Sequence, residues 1–492
     1  MSDIKSLAKD SIIYGGSSII SKMMSWLLTV LFTYTLAKND FGIMTNLYAY
    51  AALIIVILTF GMETGFFRFA NQTDNHYLPT TVYSTIIYLV ITIILVFLCC
   101  FSIFFHSLKS YLWSSEISDV YIQIIIAVLC MDAFNAIPFA NLRYKKKAIK
   151  FGILKILDVV LYTFFCILFL IICPKLNKYN PYLISWFWKP NFKLGYIFIA
   201  NLLATLIETL CLLPELTGFR YIFDKILAKK IFCYCFPLVI IGLAGISNHV
   251  LDKLIFPAFY SGNSPVFSEL GVYSACFKIA FIMIIFTQAF RYAYEPFFFE
   301  KSKNKDSKQL YADIMKYFII FGLLIFLVIM FYIDIIKYMI SAEYFGALKI
   351  VPIVLCSELF FAIYFNLSIW YKLVDKTYWG AFFSIIAFII LVFINIYFIP
   401  KFSYQACAWA GFVSNGFIVL ISYFIGQKYY RIQYDLKSIG LYICFASIIY
   451  TTSYLIKIHN YWLHLIFNTF LIIIYLSICC YKERFFSKKS FY

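Results

Sequence analysis

Four basic side chains lie deep inside long apolar stretches of the sequence, where a charge is costly. They are Lys22, Lys253, Lys278 and Arg291. A charge at the centre of a membrane helix costs at least about 2.5–3.5 kcal/mol, and it persists mainly where it faces water or a partner. These residues therefore predict a cationic cavity for a polyanionic group such as a diphosphate. The alternative is internal pairing, of Lys253 with Asp252 and of Arg291 with Glu295.

Lys22 is the strongest candidate because polar residues accompany it at steps of three and four positions. These companions are Ser11, Tyr14, Ser18, Ser25 and Thr29. Residues at this spacing share one face of a helix, so the pattern predicts a polar seam with an ammonium near its middle.

Acidic residues also lie within apolar stretches. Asp132, Glu208 and Glu358 are isolated there, and Asp252 adjoins Lys253. Each could bind a proton or a cation that is coupled to transport, or serve as a counter-ion for the lysines. Lys155 and Asp158 lie three residues apart, which favours a local pair.

The composition requires a membrane to position these side chains. Hydrophobic residues make up 63% of the 492 residues and charged residues only 13%, against about 25% charged in soluble domains. The net charge of +17 is spread over short loops, which argues against a nucleic-acid surface. No phosphate-binding loop, zinc-protease motif or dinucleotide fingerprint is present, and the 14 cysteines form no C-x-x-C pair. We therefore expect neither an enzyme nor a cofactor.

Apolar runs of about 20 residues predict fourteen transmembrane helices and no cleaved signal peptide. The spans are expected at 11–37, 43–67, 80–106, 119–141, 151–173, 195–216, 231–256, 271–294, 312–336, 350–371, 377–399, 404–426, 436–457 and 461–481. With both termini in the cytoplasm, the inner loops and tails hold 25 of the 41 Lys and Arg residues, as the positive-inside rule requires.

An internal repeat divides the predicted spans into two halves. Residues 132–139 match 358–365 at one offset, and the openings at 41–45 and 270–274 also correspond. A repeat of six helices predicts two lobes in the same orientation, related by an axis along the membrane normal. We expect lobes at 1–218 and 219–430, two further helices with a basic tail at 431–492, and a cavity between the lobes.

Short motifs are spread over the first twelve predicted spans. They are Asp40-Phe41-Gly42 with Gly61 to Arg68, Ile137-Pro138, Leu142-Arg143, Gly271 to Ser274 with Lys278, Glu295-Pro296-Phe297, Asn366-Leu367-Ser368, Lys376-Thr377, Asn395, Ile399-Pro400 and Gln405-Ala406. In these motifs the chain resembles the Wzx-type polysaccharide flippases, whose superfamily includes the MATE drug exporters and the MurJ lipid II flippases. One departure is the run from Gln405 to Trp409, where such proteins usually have a glycine-rich sequence.

The resemblance implies an all-α, V-shaped fold of two six-helix bundles plus two C-terminal helices in a bacterial inner membrane. Its cargo would be an undecaprenyl-diphosphate-linked oligosaccharide for O-antigen, capsule or exopolysaccharide synthesis, moved by alternating access. The partners would be membrane lipids and the polysaccharide polymerase and chain-length regulator of that pathway. Two alternatives stay open: a MATE-like cation-coupled multidrug exporter, which would want an anionic cavity, and a membrane-embedded polysaccharide polymerase, which would want a large outer loop.

Overall fold

The computed structural model is helical throughout the part of the chain that it describes. It describes residues 2–71, 78–112, 116–301, 307–374, 376, 378–456, 458 and 460–483, with the backbone alone at 2–12, 183, 292–301 and 307. No strand occurs among these residues.

Fourteen helical segments within the described residues are long and apolar enough to cross a membrane, which confirms the predicted number and order of spans. They are Ile13–Thr35, Lys38–Ala70, Pro79–Leu112, Asp119–Tyr144, Ala148–Tyr179, Pro190–Leu216, Lys225–Phe259, Val266–Arg291, Lys308–Phe331, Ala342–Leu373, Tyr378–Phe402, Tyr404–Tyr429, Leu436–Leu455 and Tyr461–Glu483. The bounds of these segments differ from the predicted bounds by up to eight residues, in several cases because a helix continues beyond the apolar run into a loop.

The helices cluster into two units. Unit 1 is Met1–Gly271 and unit 2 is Val272–Tyr492. The α-helices that begin in unit 1 are α1 (Ser2–Thr35), α2 (Lys38–Thr59), α3 (Met62–Ala70), α4 (Pro79–Leu112), α5 (Asp119–Tyr144), α6 (Ala148–Ile167), α7 (Cys173–Tyr179), α8 (Lys193–Leu212), α9 (Lys225–Phe259) and α10 (Val266–Lys301). A π-helical turn, Leu168–Ile172, joins α6 to α7.

The remaining helices belong to unit 2. They are α11 (Ser307–Phe331), α12 (Ile333–Ile336), α13 (Val351–Leu367), α14 (Ile369–Leu373), α15 (Tyr378–Phe402), α16 (Tyr404–Tyr429), α17 (Leu436–Leu455) and α18 (Tyr461–Glu483). A 3-10 segment, Ala342–Ile350, leads into α13.

Two glycines allow α2 to approach the start of α10 within unit 1. A Cβ at Gly42 would lie 1.7 Å from the carbonyl oxygen of Phe267, and a Cβ at Gly271 would lie 2.2 Å from the carbonyl oxygen of Lys38. Both obstacles are backbone atoms, so no rotamer change would relieve the clash. The two glycines occupy equivalent places in the internal repeat, and each is required by the same close contact.

Buried polar contacts fasten α17 and α18 to α11 in unit 2. At one end, the Lys316 Nζ lies 2.5 Å from the Glu483 carboxylate, which also accepts a hydrogen bond from the Tyr442 hydroxyl at 2.7 Å. At the other end, the Asn468 amide donates to the Phe331 carbonyl at 3.1 Å and accepts from the Ser453 hydroxyl at 2.7 Å. The last two helices are therefore an integral part of unit 2.

Asn468→Leu should lower the stability of the purified protein, because it removes both hydrogen bonds from a buried site. Interhelical hydrogen bonds in membrane proteins contribute about 0.6 kcal/mol on average and up to about 1.7 kcal/mol. Thermal unfolding in detergent measures the change. The control is Ser447→Ala, whose exposed hydroxyl bonds only the Ile443 carbonyl in its own helix. Equal midpoints for the two variants would contradict the prediction.

Candidate functional site

Lys22 and His249 mark a polar group on α1 and α9 in unit 1. Lys22 lies near the middle of its span and its side chain is exposed. The charges of Lys22, Asp252 and Lys253 all act on the His249 imidazole, so residues far apart in sequence meet in one region. The His249 side chain is exposed. We call these four residues the Lys22 group.

Lys253 is paired within the Lys22 group. Its Nζ lies 3.1 Å from each carboxylate oxygen of Asp252 and 3.2 Å from the His249 carbonyl oxygen. The internal pairing offered by the sequence as an alternative is thus present. The Lys253 carbonyl also accepts a hydrogen bond from the Asn46 amide at 2.9 Å, which fixes this part of α9 against α2. The two lysines of the Lys22 group carry two formal positive charges, and Asp252 carries one negative charge.

Lys278 and Arg291 lie on α10 in unit 2, thirteen residues apart. The Lys278 ammonium lies 5.2 Å from the centre of the Phe281 ring. The Arg291 guanidinium lies 4.8 Å from the centre of the Phe365 ring, and Lys372 lies 4.9 Å from the same ring. Cations at these distances are attracted to the face of an aromatic ring. The side chain of Glu295, the predicted partner of Arg291, falls outside the described residues.

A second polar group in unit 1 contains three acids and one lysine. The Lys155 Nζ lies 3.1 Å from Glu208 Oε1, and Glu208 is 2% exposed. The charges of Asp132 and Asp158 also act on Glu208, and one oxygen of Asp158 accepts no hydrogen bond from any described residue. We call Asp132, Lys155, Asp158 and Glu208 the acid cluster. It joins α5, α6 and α8.

Neutral side chains hold the acid cluster in place. The Asn135 amide donates to Glu208 Oε2 at 3.4 Å and to the Thr209 hydroxyl at 2.9 Å. The Phe139 ring lies 3.8 Å from the Lys155 ammonium, and the Ser21 hydroxyl donates to the Lys155 carbonyl at 3.1 Å. One lysine cannot neutralise three carboxylates, so the cluster can accept protons or a cation.

Sequence reasoning found every member of the acid cluster but not its connections. Asp132 and Glu208 were candidates, whereas Lys155 and Asp158 were expected to form a local pair. In the structure Lys155 bonds Glu208, 53 residues away. His249, to which the sequence analysis assigned no role, lies within the Lys22 group. The sequence signal that marks these residues is their position within apolar runs, where polar and charged side chains are costly.

Glu358 is buried on α13 of unit 2, at 7% exposure. Its neighbour Ser357 accepts hydrogen bonds from the Asn415 amide on its hydroxyl at 3.1 Å and on its carbonyl at 3.2 Å. Asp132 and Glu358, which correspond in the internal repeat, thus each lie on a helix that makes buried polar contacts. No group of three or more His, Cys, Asp or Glu side chains among the described residues is arranged to hold a metal ion.

Comparison with known proteins identifies the fold. No protein-family model matches the chain, and no curated protein matches its sequence. A solved structure described as the lipid II flippase MurJ in an inward closed conformation matches with a TM-score of 0.73 and 15% identity, over 97% of this chain and 99% of that one. An inward-facing MATE-family multidrug-resistance transporter of the MOP superfamily matches with a TM-score of 0.64 and 13% identity, over 83% of this chain and 94% of that one.

An outward-facing MATE-family transporter also matches, with a TM-score of 0.56 and 12% identity over 85% of this chain and 95% of that one. The chain therefore has the all-helical membrane fold shared by MurJ and the MATE transporters, as expected from the sequence. These neighbours are transporters and flippases. The fold and the fourteen apolar helices among the described residues are those of a multi-pass membrane protein.

Proposed function

We propose that this chain, with its MurJ- and MATE-like fold, is a flippase for an undecaprenyl-diphosphate-linked oligosaccharide. It would move the repeat unit from the cytoplasmic to the outer leaflet of a bacterial inner membrane, for surface polysaccharide synthesis. The observation that carries the proposal is the extent of the match to MurJ, which includes nearly the whole of both chains. The MATE transporter covers less of this chain, at 83%.

The Lys22 group supplies the chemistry for such a cargo. A diphosphate diester carries two negative charges, and ammonium groups in a partly desolvated site bind phosphate oxygens by charge-assisted hydrogen bonds. Lys22 and Lys253 provide two ammonium groups in one region of unit 1, against the single carboxylate of Asp252. We propose that Lys278 and Arg291 form a cationic group of unit 2 that also binds phosphate, and that 1–218 and 219–430 are the two transport lobes.

We further propose that the acid cluster couples transport to an ion gradient. Protonation or cation binding would change the charge around Lys155 and so alter how α6 is held against α5 and α8. In this mechanism Glu358 and Asp252 serve as counter-ions. Both termini and the loops after even-numbered spans would be cytoplasmic, as the distribution of basic residues predicts.

The acid cluster also favours a second candidate function, a MATE-like exporter of cationic drugs. Three carboxylates within one unit are the feature such an exporter needs. The two functions predict different phenotypes. A flippase deletion should cause the lipid-linked repeat unit to accumulate on the cytoplasmic leaflet, whereas an exporter deletion should raise sensitivity to cationic dyes while the surface glycan stays normal.

Lys22→Ala tests the proposed function directly. Glycan export should fall by about tenfold or more, since one charge-assisted contact to phosphate contributes roughly 1.5–3 kcal/mol. Lys22→Arg keeps the charge and should retain part of the activity. The measurement is surface glycan in cells whose own gene is deleted, normalised to the amount of protein in the membrane.

The matched control is Lys178→Ala, which removes an exposed lysine elsewhere in unit 1. It should export normally. If Lys22→Ala reduces the amount of folded protein instead, Lys22 is a structural partner, and neutralising a nearby acid should restore the yield. Full export by well-expressed Lys22→Ala protein would overturn the cationic-site mechanism.

A further inference from the structure

Three lysines converge on one buried carboxylate at the end of unit 1 where α5 finishes and α6 begins. Lys150 Nζ lies 2.8 Å and Lys147 Nζ 3.3 Å from Glu215 Oε1, and Lys145 Nζ lies 3.7 Å from Glu215 Oε2. The Glu215 side chain is only 4% exposed, whereas the three lysine side chains are 37–49% exposed. The ammonium groups therefore present an open face over a covered carboxylate. We call the three lysines the lysine triad.

The segment that carries Glu215 is fixed by the start of α4. The Tyr83 hydroxyl donates to the Glu215 carbonyl at 3.3 Å. The Ser84 hydroxyl donates to the Ile222 carbonyl at 2.6 Å and accepts from the Ile222 amide at 3.2 Å. These contacts join residues more than 130 positions apart, so the carboxylate is positioned by the fold and not by a loose loop.

The lysines themselves lie on a tight turn and on the first turn of α6. Lys146 adopts a positive φ of 56°, which reverses the chain between the two helices. The Lys145 amide donates to the Asn141 carbonyl at 2.9 Å, and the Lys147 amide donates to the Leu142 carbonyl at 2.9 Å. This closed turn directs Lys145 and Lys147 to the same carboxylate that Lys150 reaches.

The lysine triad and Glu215 together carry an excess of two positive charges. One carboxylate neutralises one ammonium, and like charges a few ångströms apart repel one another. Three ammonium groups held this close together are stabilised when a further anion lies over their exposed face. Because the Lys145, Lys147 and Lys150 side chains are accessible, their ammonium groups can donate hydrogen bonds to phosphate oxygens.

We propose that the lysine triad is a binding site for the diphosphate of a lipid-linked substrate, separate from the Lys22 group. The site lies at the face where α3, α5 and α8 end, which the charge distribution predicts to be cytoplasmic. A diphosphate diester carries two negative charges, which match the excess of two positive charges at this site. The lipid chain would lie in the adjacent leaflet. The inference rests on the proposed function for the identity of the cargo, and it assigns the place where that cargo first docks.

Binding of undecaprenyl diphosphate to the purified full-length protein tests the proposal. The variant removes the triad by Lys145→Ala, Lys147→Ala and Lys150→Ala. The control removes three exposed lysines at the start of α9, on the same face, by Lys225→Ala, Lys229→Ala and Lys230→Ala. Both triple variants are made on a Lys22→Ala background, which reduces diphosphate binding at the Lys22 group. Native mass spectrometry measures the occupancy by undecaprenyl diphosphate, undecaprenyl phosphate and cardiolipin.

Loss of the triad should weaken diphosphate binding by about tenfold or more, and the control by less than about twofold. Undecaprenyl phosphate should bind more weakly than the diphosphate, because it fills only part of the positive site. Equal losses in both triple variants would show a general effect of surface charge and overturn the proposal. Cardiolipin binding as tight as that of the diphosphate would identify a phospholipid anchor and overturn it as well.

A triple Lys→Gln substitution at the same positions replaces the alanine variant if that variant does not fold, because glutamine can still donate to Glu215. Export is measured with Lys22 intact, in the parent protein and in the triple variants, and these measurements separate this inference from the proposed function. Triad-dependent diphosphate binding in a protein that exports no glycan would preserve the site and overturn the function. Normal export with no triad-dependent binding would overturn the site alone.

Discussion

Lys155→Ala is expected to prevent most of the protein from accumulating in a folded form. The substitution leaves Glu208, which is 2% exposed, without the ammonium that lies 3.1 Å from it, and Asp132 and Asp158 add negative charge nearby. Removing one partner of a buried ion pair typically costs about 3–5 kcal/mol. The amount of monodisperse protein after detergent extraction, measured by fluorescence size exclusion, gives the result.

A second substitution separates charge from packing at this site. Lys155→Ala combined with Glu208→Gln removes both members of the pair and should restore much of the folded yield. Lys155→Met keeps most of the side-chain volume but should behave like the alanine variant, because it also leaves the carboxylate without its cation. A normal yield of Lys155→Ala alone would mean that Glu208 is neutral in the folded protein or finds another partner.

Gly42→Ala should be nearly as damaging, although it adds a single methyl group. The new Cβ would lie 1.7 Å from the Phe267 carbonyl oxygen, so α2 and the start of α10 must separate. Overpacking usually costs about 1–3 kcal/mol and occasionally more, and a clash with backbone belongs at the upper end. Thermal unfolding of the purified variant measures the loss. Gly271→Ala should reproduce it, because its Cβ would meet the Lys38 carbonyl oxygen.

Gly440→Ala is the control for this substitution. Gly440 lies inside α17, and apart from its own helix no heavy atom lies within 4 Å of the position that a methyl group would occupy there. Alanine in a helix interior is favoured over glycine by roughly 0.5–1 kcal/mol, so this variant should be slightly more stable than the parent. Equal stability of the Gly42→Ala and Gly440→Ala proteins would contradict the close contact.

The spans were predictable because the lipid allows few alternatives. Every backbone polar group in the hydrocarbon must be satisfied within its own helix, so a run of about 20 apolar residues has one stable structure. Lys22 could be recognised as a candidate for the same reason, since a charge at mid-span is costly. Gly42 and Gly271 were found as members of the repeat, but the sequence could not show that they contact the same backbone.

The polar groups were less predictable because their partners come from distant helices. Glu208 and Lys155 are 53 residues apart, and Glu215 gathers lysines that precede it by 65 to 70 residues. Hydropathy locates each charge along its helix but does not say which helix lies beside it. The local rule at three- and four-residue spacing suggested Asp158 as the partner of Lys155, and a tertiary contact with Glu208 provided a better one.

The contact between Lys316 and Glu483 has a consequence for the order in which the protein is made. Lys316 enters the membrane region with α11, and the carboxylate that lies 2.5 Å from it is encoded 167 residues later. At roughly 5–20 residues per second, the ribosome needs about 8–33 s to synthesise the intervening chain. During that interval α11 lacks the partner that holds it to α18. Completion of the last helix, and not insertion of the first twelve, is therefore the event that gives α11 this buried contact.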